Sequence, residues 1–164
     1  MKPDYKLVAK AKYIHLTADL AGELWRESHK RWYPPKQLET LAQALLSPEA
    51  IEEEIDGGAN YFIVQLGGKP VGYFAWKMEN TALFLMDLYL KPEHRGKALG
   101  QGILASCERL ARAEGKGRVW CRVPARSLPV IQFFKSQGYR PVGPAERLVA
   151  GVAMDETEME RVLR

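Results

Sequence analysis

Residues 95–100 read Arg-Gly-Lys-Ala-Leu-Gly, and residue types of this kind at this spacing are suited to binding a phosphate group. The hydrophobic residues 83–90 before them predict a strand, and residues 99–114 after them predict a helix that ends at Gly115. Glycines let backbone N–H groups approach an anion closely, and the amino end of a helix adds unpaired donors and a positive partial charge. The segment therefore predicts a phosphate-binding turn between a strand and a helix.

The elements that follow this turn supply part of the framework that must position it. Residues 119–123 predict a buried strand, residues 129–137 predict a short helix closed by Gly138, and Tyr139 begins another strand. If the helix after the turn is a crossover connection, strands 83–90 and 119–123 run parallel.

A meander is predicted before the turn. Residues 61–66 and 71–76 both read as strands, and they flank a Gly-Gly-Lys-Pro hairpin signal at residues 67–70. Residues 79–81 then turn the chain into strand 83–90, so three consecutive antiparallel strands are expected.

Three helices are predicted in the amino-terminal half. The first covers residues 19–29, follows a strand predicted over residues 5–13, and has Thr17 and Asp19 as capping candidates. The signals for the other two are a shared helical face at Leu38, Leu41, Ala42 and Leu45, a start at Ser47-Pro48 and a stop at Gly57-Gly58.

The bulk properties are those of one compact domain over residues 1–164, since 46% hydrophobic content is enough for a sizeable core. No apolar run approaches the roughly 20 residues of a membrane span and residues 1–5 lack a signal-peptide core, so a cytoplasmic protein without a membrane partner is expected. Cys107 and Cys121 have neither disulfide nor metal-ligand spacing, which predicts reduced thiols and no metal site. The net charge of +4 suits an anionic cofactor, but without a basic stripe no nucleic-acid partner is expected.

Residues 95–100 resemble the Gln/Arg-x-x-Gly-x-Gly/Ala signature of the GNAT N-acetyltransferase superfamily, and the Leu-Tyr-Leu-x-Pro that precedes them is similar to the family's strand ending. Ala98 departs from the pattern, because a glycine is usual at its position. Residues 119–139 are similar to the family's strand, its Asn-x-x-Ala-x-x-Phe-Tyr helix and its Gly-Phe ending. The resemblance covers nearly the whole chain. It implies an α/β fold with a mixed, mostly antiparallel central sheet, a βαβ cofactor-binding unit and flanking helices.

The tail of the chain gives two conflicting signals. Residues 155–158 resemble a capping box, which favours a helix. The family resemblance instead implies a strand that returns antiparallel beside the strand begun at Tyr139, and tertiary context often overrides propensity. We expect a strand over residues 157–163.

The resemblance implies that acetyl-coenzyme A is the cofactor, with its pyrophosphate in the phosphate-binding turn. It also implies that strand 83–90 splays from its parallel neighbour, so that backbone groups of Leu88 and Leu90 bind the pantetheine arm as an added strand would. The expected cofactor-binding residues are Leu88, Tyr89, Leu90, Arg95, Gly96, Lys97, Ala98, Leu99, Gly100, Ser127, Phe134 and Lys135.

Direct acetyl transfer to an amine needs a polarised thioester carbonyl, a neutral amine and a stabilised or protonated thiolate. The expected catalytic residues are Leu88 through its backbone, Asp87 as a base and Ser127. Glu27 and His29 are alternative bases. Asp87 also fits an ordinary strand position, and His29 also fits a cation at a helix end.

The proton donor to the thiolate is a second departure from the family pattern. Phe134 stands where a tyrosine is usual, and Ser127 stands at the usual asparagine position. Because a phenyl ring cannot donate a proton, Ser127, Cys121 and Tyr139 are the alternatives. Loss of a general acid slows such a reaction by about 10² to 10⁴-fold.

The acceptor is expected to be a primary amine of a small molecule, such as a polyamine, or of a peptide. Within the family the chain is most similar to bacterial spermidine/spermine-type enzymes, on Trp32-Tyr33 and other aromatic pairs. Trp32 and Tyr33 would bind an amine through cation–π attraction, with the acidic residues 52–54 nearby. That acidic run also fits a solvated helix face. Homodimers are frequent in the family, and a homodimer is an open alternative here.

Other functional classes fit less well. The Phe134 and Ser127 departures leave a non-catalytic acyl-coenzyme A-binding regulatory module as the alternative function. A dinucleotide-binding fingerprint lacks its third small residue, and a P-loop lacks its Gly-Lys-Ser/Thr.

Overall fold

The structure is a computed structural model that describes residues 2–96 and 98–164. The strands are β1 (Asp4–Leu7), β2 (Asn60–Leu66), β3 (Lys69–Met78), β4 (Ala82–Leu90), β5 (Arg118–Pro124), β6 (Arg140–Pro144), β7 (Arg147–Val149), β8 (Val152–Met154) and β9 (Glu156–Val162). The α-helices are α1 (Ala11–His29), α2 (Pro35–Leu46), α3 (Pro48–Asp56), α4 (Leu99–Ala113) and α5 (Leu128–Ser136), and a 3-10 turn covers Pro92–His94.

Seven strands form one twisted sheet in the order β1-β2-β3-β4-β5-β9-β6. All neighbours are antiparallel except β4 and β5, which run parallel and are joined by the α4 crossover. The predicted mixed sheet, meander and βαβ unit are therefore confirmed. The strands β7 and β8 form a separate hairpin that the sequence did not predict.

Helices cover both faces of this sheet and form two hydrophobic clusters. The first cluster contains Leu24 and Trp25 of α1 together with Tyr73 of β3. The second contains Ile103 of α4 together with Phe74, the next residue of β3. Because successive side chains of a strand point to opposite faces, one strand supplies both clusters.

The start of α1 differs from the prediction. The strand predicted over residues 5–13 is present but ends at Leu7, and the helix already begins at Ala11, so the capping roles of Thr17 and Asp19 were wrong. Thr17 is buried within the helix, where its hydroxyl donates to the Tyr13 carbonyl at 2.6 Å. A buried stripe through Ile14, Ala18 and Ala21 has helical spacing, and its packing extends α1 without a side-chain cap.

The other predicted boundaries agree closely with the structure. The Ser47 hydroxyl caps α3 by accepting from the Ala50 N–H at 3.1 Å, and α3 ends before Gly57. The predicted carboxy-terminal strand is also confirmed, because β9 lies between β5 and β6 and pairs antiparallel with both. Pairing on both edges outweighs the capping-box signal of residues 155–158.

Among the described residues, no helix has the length and apolar character needed to cross a membrane. The same residues contain no group of three or more metal-binding side chains.

Candidate active site

The parallel strands β4 and β5 pair only over part of their length. Their register runs from Ala82 opposite Arg118 to Leu85 opposite Cys121, whereas β4 continues alongside β3 as far as Leu90. A gap therefore opens between β4 and β5 beyond these pairs, and this is the splay that the family resemblance implied.

The backbone of β4 turns alternate residues toward this gap. The Lys91 N–H donates to the Val71 carbonyl at 2.8 Å, which fixes the side of the ladder that β3 uses. The hydrogen-bonding direction of the backbone alternates along an antiparallel strand. The N–H and C=O groups of Tyr89 therefore also point toward β3, whereas those of Leu88 and Leu90 point toward the gap. Their backbone groups are placed to pair with an extended ligand, as an added strand would.

A β-bulge in β4 decides where Asp87 points. Ala75 of β3 lies opposite Asp87, but the next residue, Trp76, lies opposite Leu85. Met86 is therefore an extra residue, and it shifts the alternation of side chains. Leu85 packs in the second cluster on the α4 side, whereas Asp87 faces the side of α1.

The gap opens into a first cavity of about 780 Å³ between β4, β5, α5 and the end of α1. Most of the predicted cofactor residues line it. They are Leu88, Tyr89, Leu90, Arg95, Gly96, Ala98, Gly100, Ser127 and Phe134. Lys97 was also predicted, but it lies outside the described residues.

Two predicted residues are placed elsewhere. The Leu99 side chain is buried in the second cluster, so only its backbone is positioned at the phosphate turn. Lys135 is exposed on α5 and does not line the first cavity.

The turn before α4 has the backbone geometry of an anion site. Gly96 has φ +76°, and Ala98, the N-cap residue, has φ 64° in the left-handed region. No side chain caps α4, so the N–H groups of its first turn remain available to a ligand. The left-handed conformation of Ala98 also explains why a glycine is usual at this position in the family.

Gly100 is required for packing as well as for access. A Cβ atom at this position would lie 2.9 Å from the Cζ atom of Phe133 on α5. The absence of a side chain therefore lets α5 approach α4 beside the first cavity.

Arg95 is held at the mouth of the first cavity by two partners. Its Nε–H donates to the Leu90 carbonyl at 3.1 Å, and its Nη2 lies 2.8 Å from an oxygen of Glu27. The hydrogen bond and charge of Arg95 lower the pKa of Glu27. Glu27, an alternative base in the sequence analysis, is thus an ion-pair partner that holds protons weakly.

His29 lines the first cavity as a neutral base. It is only 2% exposed and stacks on Trp25 with 4.2 Å between ring centroids. Its Nδ1 lies 2.8 Å from the Trp25 carbonyl, which can only accept, so Nδ1 carries the hydrogen and Nε2 the lone pair. Burial lowers the pKa of His29. The alternative reading of His29 as a helix-end cation is therefore wrong.

The three alternative proton donors are placed differently. Tyr139 does not line the first cavity, and its hydroxyl donates to Glu108 at 2.8 Å. Cys121 lines the first cavity, and burial raises the pKa of its thiol to about 12, so it keeps its proton at neutral pH. Ser127 also lines the cavity at the start of α5, and its hydroxyl caps no helix N–H. Ser127 and Cys121 remain as candidates.

A second cavity of about 330 Å³ lies on the other side of β4, toward α2 and α3. The two cavities share part of their walls beside the gap. The shared residues are Met86, Asp87, Tyr89, Arg122 and Pro124.

Asp87 is half-buried at this junction. Burial raises the pKa of its carboxyl to about 6, although the positive charge of Arg147 acts in the opposite direction. Burial raises the pKa of Tyr73, and the charge of Asp87 adds to this effect. The Tyr73 hydroxyl is fully buried and lies near enough to the Asp87 carboxyl to lower the pKa of Asp87, although within the described residues it forms no hydrogen bond of standard geometry.

The predicted aromatic amine site is not assembled as expected. Trp32 lines the first cavity, and Tyr33 stacks on Trp25 in the first cluster. Of the acidic residues 52–54, Glu54 forms an ion pair with Lys77 at 3.0 Å. The aromatic residues that line the second cavity are Trp25, Tyr61, Phe84 and Tyr89.

Four charged residues of the second cavity were missed by sequence reasoning: Lys77, Arg122, Arg147 and Glu156. Arg147 and Glu156 are brought to it by the unpredicted β7–β8 hairpin and by the start of β9, where they form an ion pair at 2.7 Å. Arg122 carried a usable signal, because it is a charged residue between Cys121 and Val123 in a buried strand.

The sequence matches the acetyltransferase (GNAT) family over residues 19–139. It is 30% identical over 89 residues to streptothricin acetyltransferase of Streptomyces lavendulae, a match that covers 54% of this chain and 46% of that enzyme. It is 26% identical over 129 residues to spermidine N(1)-acetyltransferase of Thermoplasma acidophilum, covering 74% of this chain and 79% of that enzyme.

Solved structures are similar along almost the whole chain. The PaiA N-acetyltransferase of Thermoplasma acidophilum, in complex with coenzyme A, has a TM-score of 0.79 at 18% identity, covering 99% of this chain and 100% of that chain. A GCN5-related N-acetyltransferase from Rhodopseudomonas palustris has a TM-score of 0.81 at 20% identity, covering 99% and 97%. These neighbours confirm the predicted fold.

Proposed function

The chain belongs to the GNAT family of acetyltransferases, whose acyl donor is acetyl-coenzyme A, and we propose that it acetylates a primary amine of a small molecule or peptide. The observation that supports this most directly is the junction of the two cavities at the gap between β4 and β5. A donor in the first cavity and an amine in the second would meet beside Asp87. We further propose that residues 1–164 act as one catalytic domain.

The first cavity fits coenzyme A. The backbone groups of Leu88 and Leu90 would pair with the pantetheine arm, and the turn at Gly96 and Ala98 would hold the pyrophosphate against the amino end of α4. Arg95 lies at the same mouth, and the sequence adds Lys97 to the proposed phosphate contacts.

When bound, acetyl-coenzyme A supplies an acetyl thioester whose acyl carbon bonds to the amine nitrogen as the carbon–sulfur bond breaks and the sulfur leaves as a thiolate. The Leu88 N–H would stabilise the negative charge that develops on the acyl oxygen, a role supported by its direction toward the gap. Asp87, with a pKa of about 6, is ionised at pH 7 and can take a proton from the attacking amine.

The thiolate would receive its proton from Ser127 or Cys121, since both line the first cavity and Tyr139 does not. Phe134 lines the cavity as an apolar wall. A non-catalytic acyl-coenzyme A-binding module is the second candidate function, because Phe134 stands where the family's usual tyrosine would donate a proton.

Thermal unfolding with and without acetyl-coenzyme A, followed by thiol release on adding amines and peptides, tests the proposal. Acetyl-coenzyme A at 100 times its dissociation constant should add about 2.7 kcal/mol to the free energy of unfolding. Arg95→Ala is expected to weaken this binding, while Lys135→Ala, a basic residue outside the cavity, leaves it unchanged. Binding without thiol release across polyamines, amino acids and peptides would favour the regulatory module. No stabilisation would contradict both candidate functions.

A further inference from the structure

Arg122 lies where the two cavities meet, and aromatic rings hold its guanidinium in place. The group lies 4.9 Å from the ring centroid of Phe84 and 5.3 Å from that of Trp120. These two rings stack on each other with 4.1 Å between centroids. Stacking on a rigid aromatic pair restricts the guanidinium to few orientations, which is typical of a recognition residue.

The carboxylates around Arg122 are already engaged by other groups. Glu79 accepts from the indole N–H of Trp120 at 2.7 Å, Glu156 pairs with Arg147 at 2.7 Å, and Glu158 pairs with Arg118 at 3.1 Å. Within residues 2–96 and 98–164, the guanidinium of Arg122 forms neither a hydrogen bond nor an ion pair.

The surroundings of Arg122 favour an added anion. Arg122 is half-buried, and burial and the positive charge of Arg147 together lower its pKa, although the charges of Glu156, Glu158 and Glu79 act in the opposite direction. A partly desolvated cation next to a second cation is costly unless a negative group compensates it. A carboxylate matches the planar fork of a guanidinium and would relieve both costs.

Asp87 is the opposite charge left over at the same junction. The other charged pairs of the second cavity neutralise each other, Glu54 with Lys77 and Glu156 with Arg147. Glu53 also lines this cavity, but it is exposed to solvent. Asp87 and Arg122 are the two charged residues that line both cavities, and neither forms an ion pair within the described residues.

We propose that the acceptor is an amphoteric amine such as an amino acid, whose carboxylate binds Arg122 while its amine lies beside Asp87. This inference rests on the proposed acetyltransferase function. A polyamine has no group for Arg122, and its second ammonium would be repelled by that guanidinium. The charge pattern thus favours an amino acid over the polyamine that the resemblance suggested.

Amines that differ only in the carboxylate provide the test. Lysine is compared with cadaverine and ornithine with putrescine, and glycine, β-alanine, aspartate and glutamate extend the panel of carboxylate-bearing amines. At saturating acetyl-coenzyme A, kcat/KM for the amino acid of a pair should exceed that for its diamine at least tenfold. In Arg122→Gln this ratio should fall by about tenfold to a hundredfold, mainly through KM of the amino acid. Arg122→Lys keeps the positive charge but not the planar fork of the guanidinium. Its ratio should lie between those of the wild type and Arg122→Gln.

Arg118→Gln is the matched control, because Arg118 lies on the same strand, is already ion-paired and lines neither cavity. It should keep the wild-type preference. Acetyl-coenzyme A affinity, measured by calorimetry, should be the same in Arg122→Gln as in the wild type, which also shows that the variant is folded.

Several outcomes would overturn the inference. Two concern the wild type: diamines are acetylated as well as amino acids, or no carboxylate-bearing amine of the panel is acetylated. Two concern Arg122→Gln: kcat/KM falls equally for both members of a pair, or the variant no longer binds acetyl-coenzyme A. Diamines acetylated in place of amino acids would leave the proposed function intact, whereas a wild-type protein that does not bind acetyl-coenzyme A would remove that function itself.

Discussion

The two cavities on either side of β4 differ in whether backbone or side-chain groups form them. The first is formed largely by backbone, namely the strand edge at Leu88 and Leu90, where the Leu90 carbonyl also accepts from Arg95, and the turn before α4. The second is formed by side chains, with Asp87 and Arg122 left unpaired among charged pairs. Backbone sites tolerate sequence change as long as the fold is kept, whereas a side-chain site changes with each substitution. The comparison suggests that the first cavity carries what the family shares and the second what distinguishes this chain.

The largest expected effect separates the two cavities by function. Asp87→Asn should lower kcat/KM by about 10² to 10⁴-fold, since it removes the proposed base. Acetyl-coenzyme A affinity should stay at the wild-type value, because the backbone of β4 is unchanged. Steady-state kinetics and calorimetry measure the two quantities. A parallel loss of cofactor affinity would mean that the two cavities are not independent. In the wild type, kcat/KM should rise with pH through about 6 as Asp87 ionises.

The raised pKa of Asp87 should also make the free energy of unfolding depend on pH. Its pKa is about 6 in the folded chain and 3.8 in the unfolded chain, so between these values the folded state holds more protons. The free energy of unfolding should therefore fall as pH rises from about 4 to above 6, by about 3 kcal/mol for two pKa units. Denaturant unfolding of the wild type minus that of Asp87→Asn isolates this contribution. A difference that is flat across that pH range would contradict the assignment.

Gly100 connects the first cavity to the packing of α5. Gly100→Ala places a Cβ 2.9 Å from the Phe133 ring, so we expect a loss of about 1 to 3 kcal/mol in stability. Thermal unfolding in the absence of ligand measures this loss. Gly102→Ala is the control, because its Cβ would lie no closer than 3.6 Å to the nearest atom, the Tyr5 hydroxyl. Equal effects in the two variants would remove the packing role of Gly100.

The smallest expected effect is a gain. Ala98 has a left-handed backbone conformation, so Ala98→Gly should relieve strain of about 1 to 2 kcal/mol, partly offset by the greater freedom of glycine in the unfolded chain. A small rise in the melting temperature and an equal or higher affinity for acetyl-coenzyme A are expected. A weaker affinity would show that the methyl group contacts the cofactor.

The sequence was informative about the first cavity because its parts are contiguous. The strand 83–90, the turn at 95–100 and the helix after it are neighbours in the chain, and each has a local signature. The return of β9 between β5 and β6 was anticipated only through the family resemblance, because its local signal favoured a helix.

The residues of the second cavity could not be predicted from local sequence signals in the same way. The bulge at Met86, which turns Asp87 toward α1, depends on register against β3 and has no local signature. Arg147 reaches the cavity through a hairpin of two three-residue strands, too short for a periodic pattern. The early start of α1 was missed because Thr17 is a good capping residue by type, yet tertiary packing buried it inside the helix.

The short pairing between β4 and β5 has a consequence for how the molecule responds to its donor. Among the residues that the structure describes, strand pairing between the half-sheet β1-β2-β3-β4 and the half-sheet β5-β9-β6 is limited to four residue pairs, from Ala82–Arg118 to Leu85–Cys121. A ligand that pairs with Leu88 in the gap would lengthen the contact between the two half-sheets, which would then open and close more cooperatively. Amide hydrogen exchange at Leu88 and Leu90 would then slow together with exchange in β5, so that the donor acts as a missing piece of the sheet.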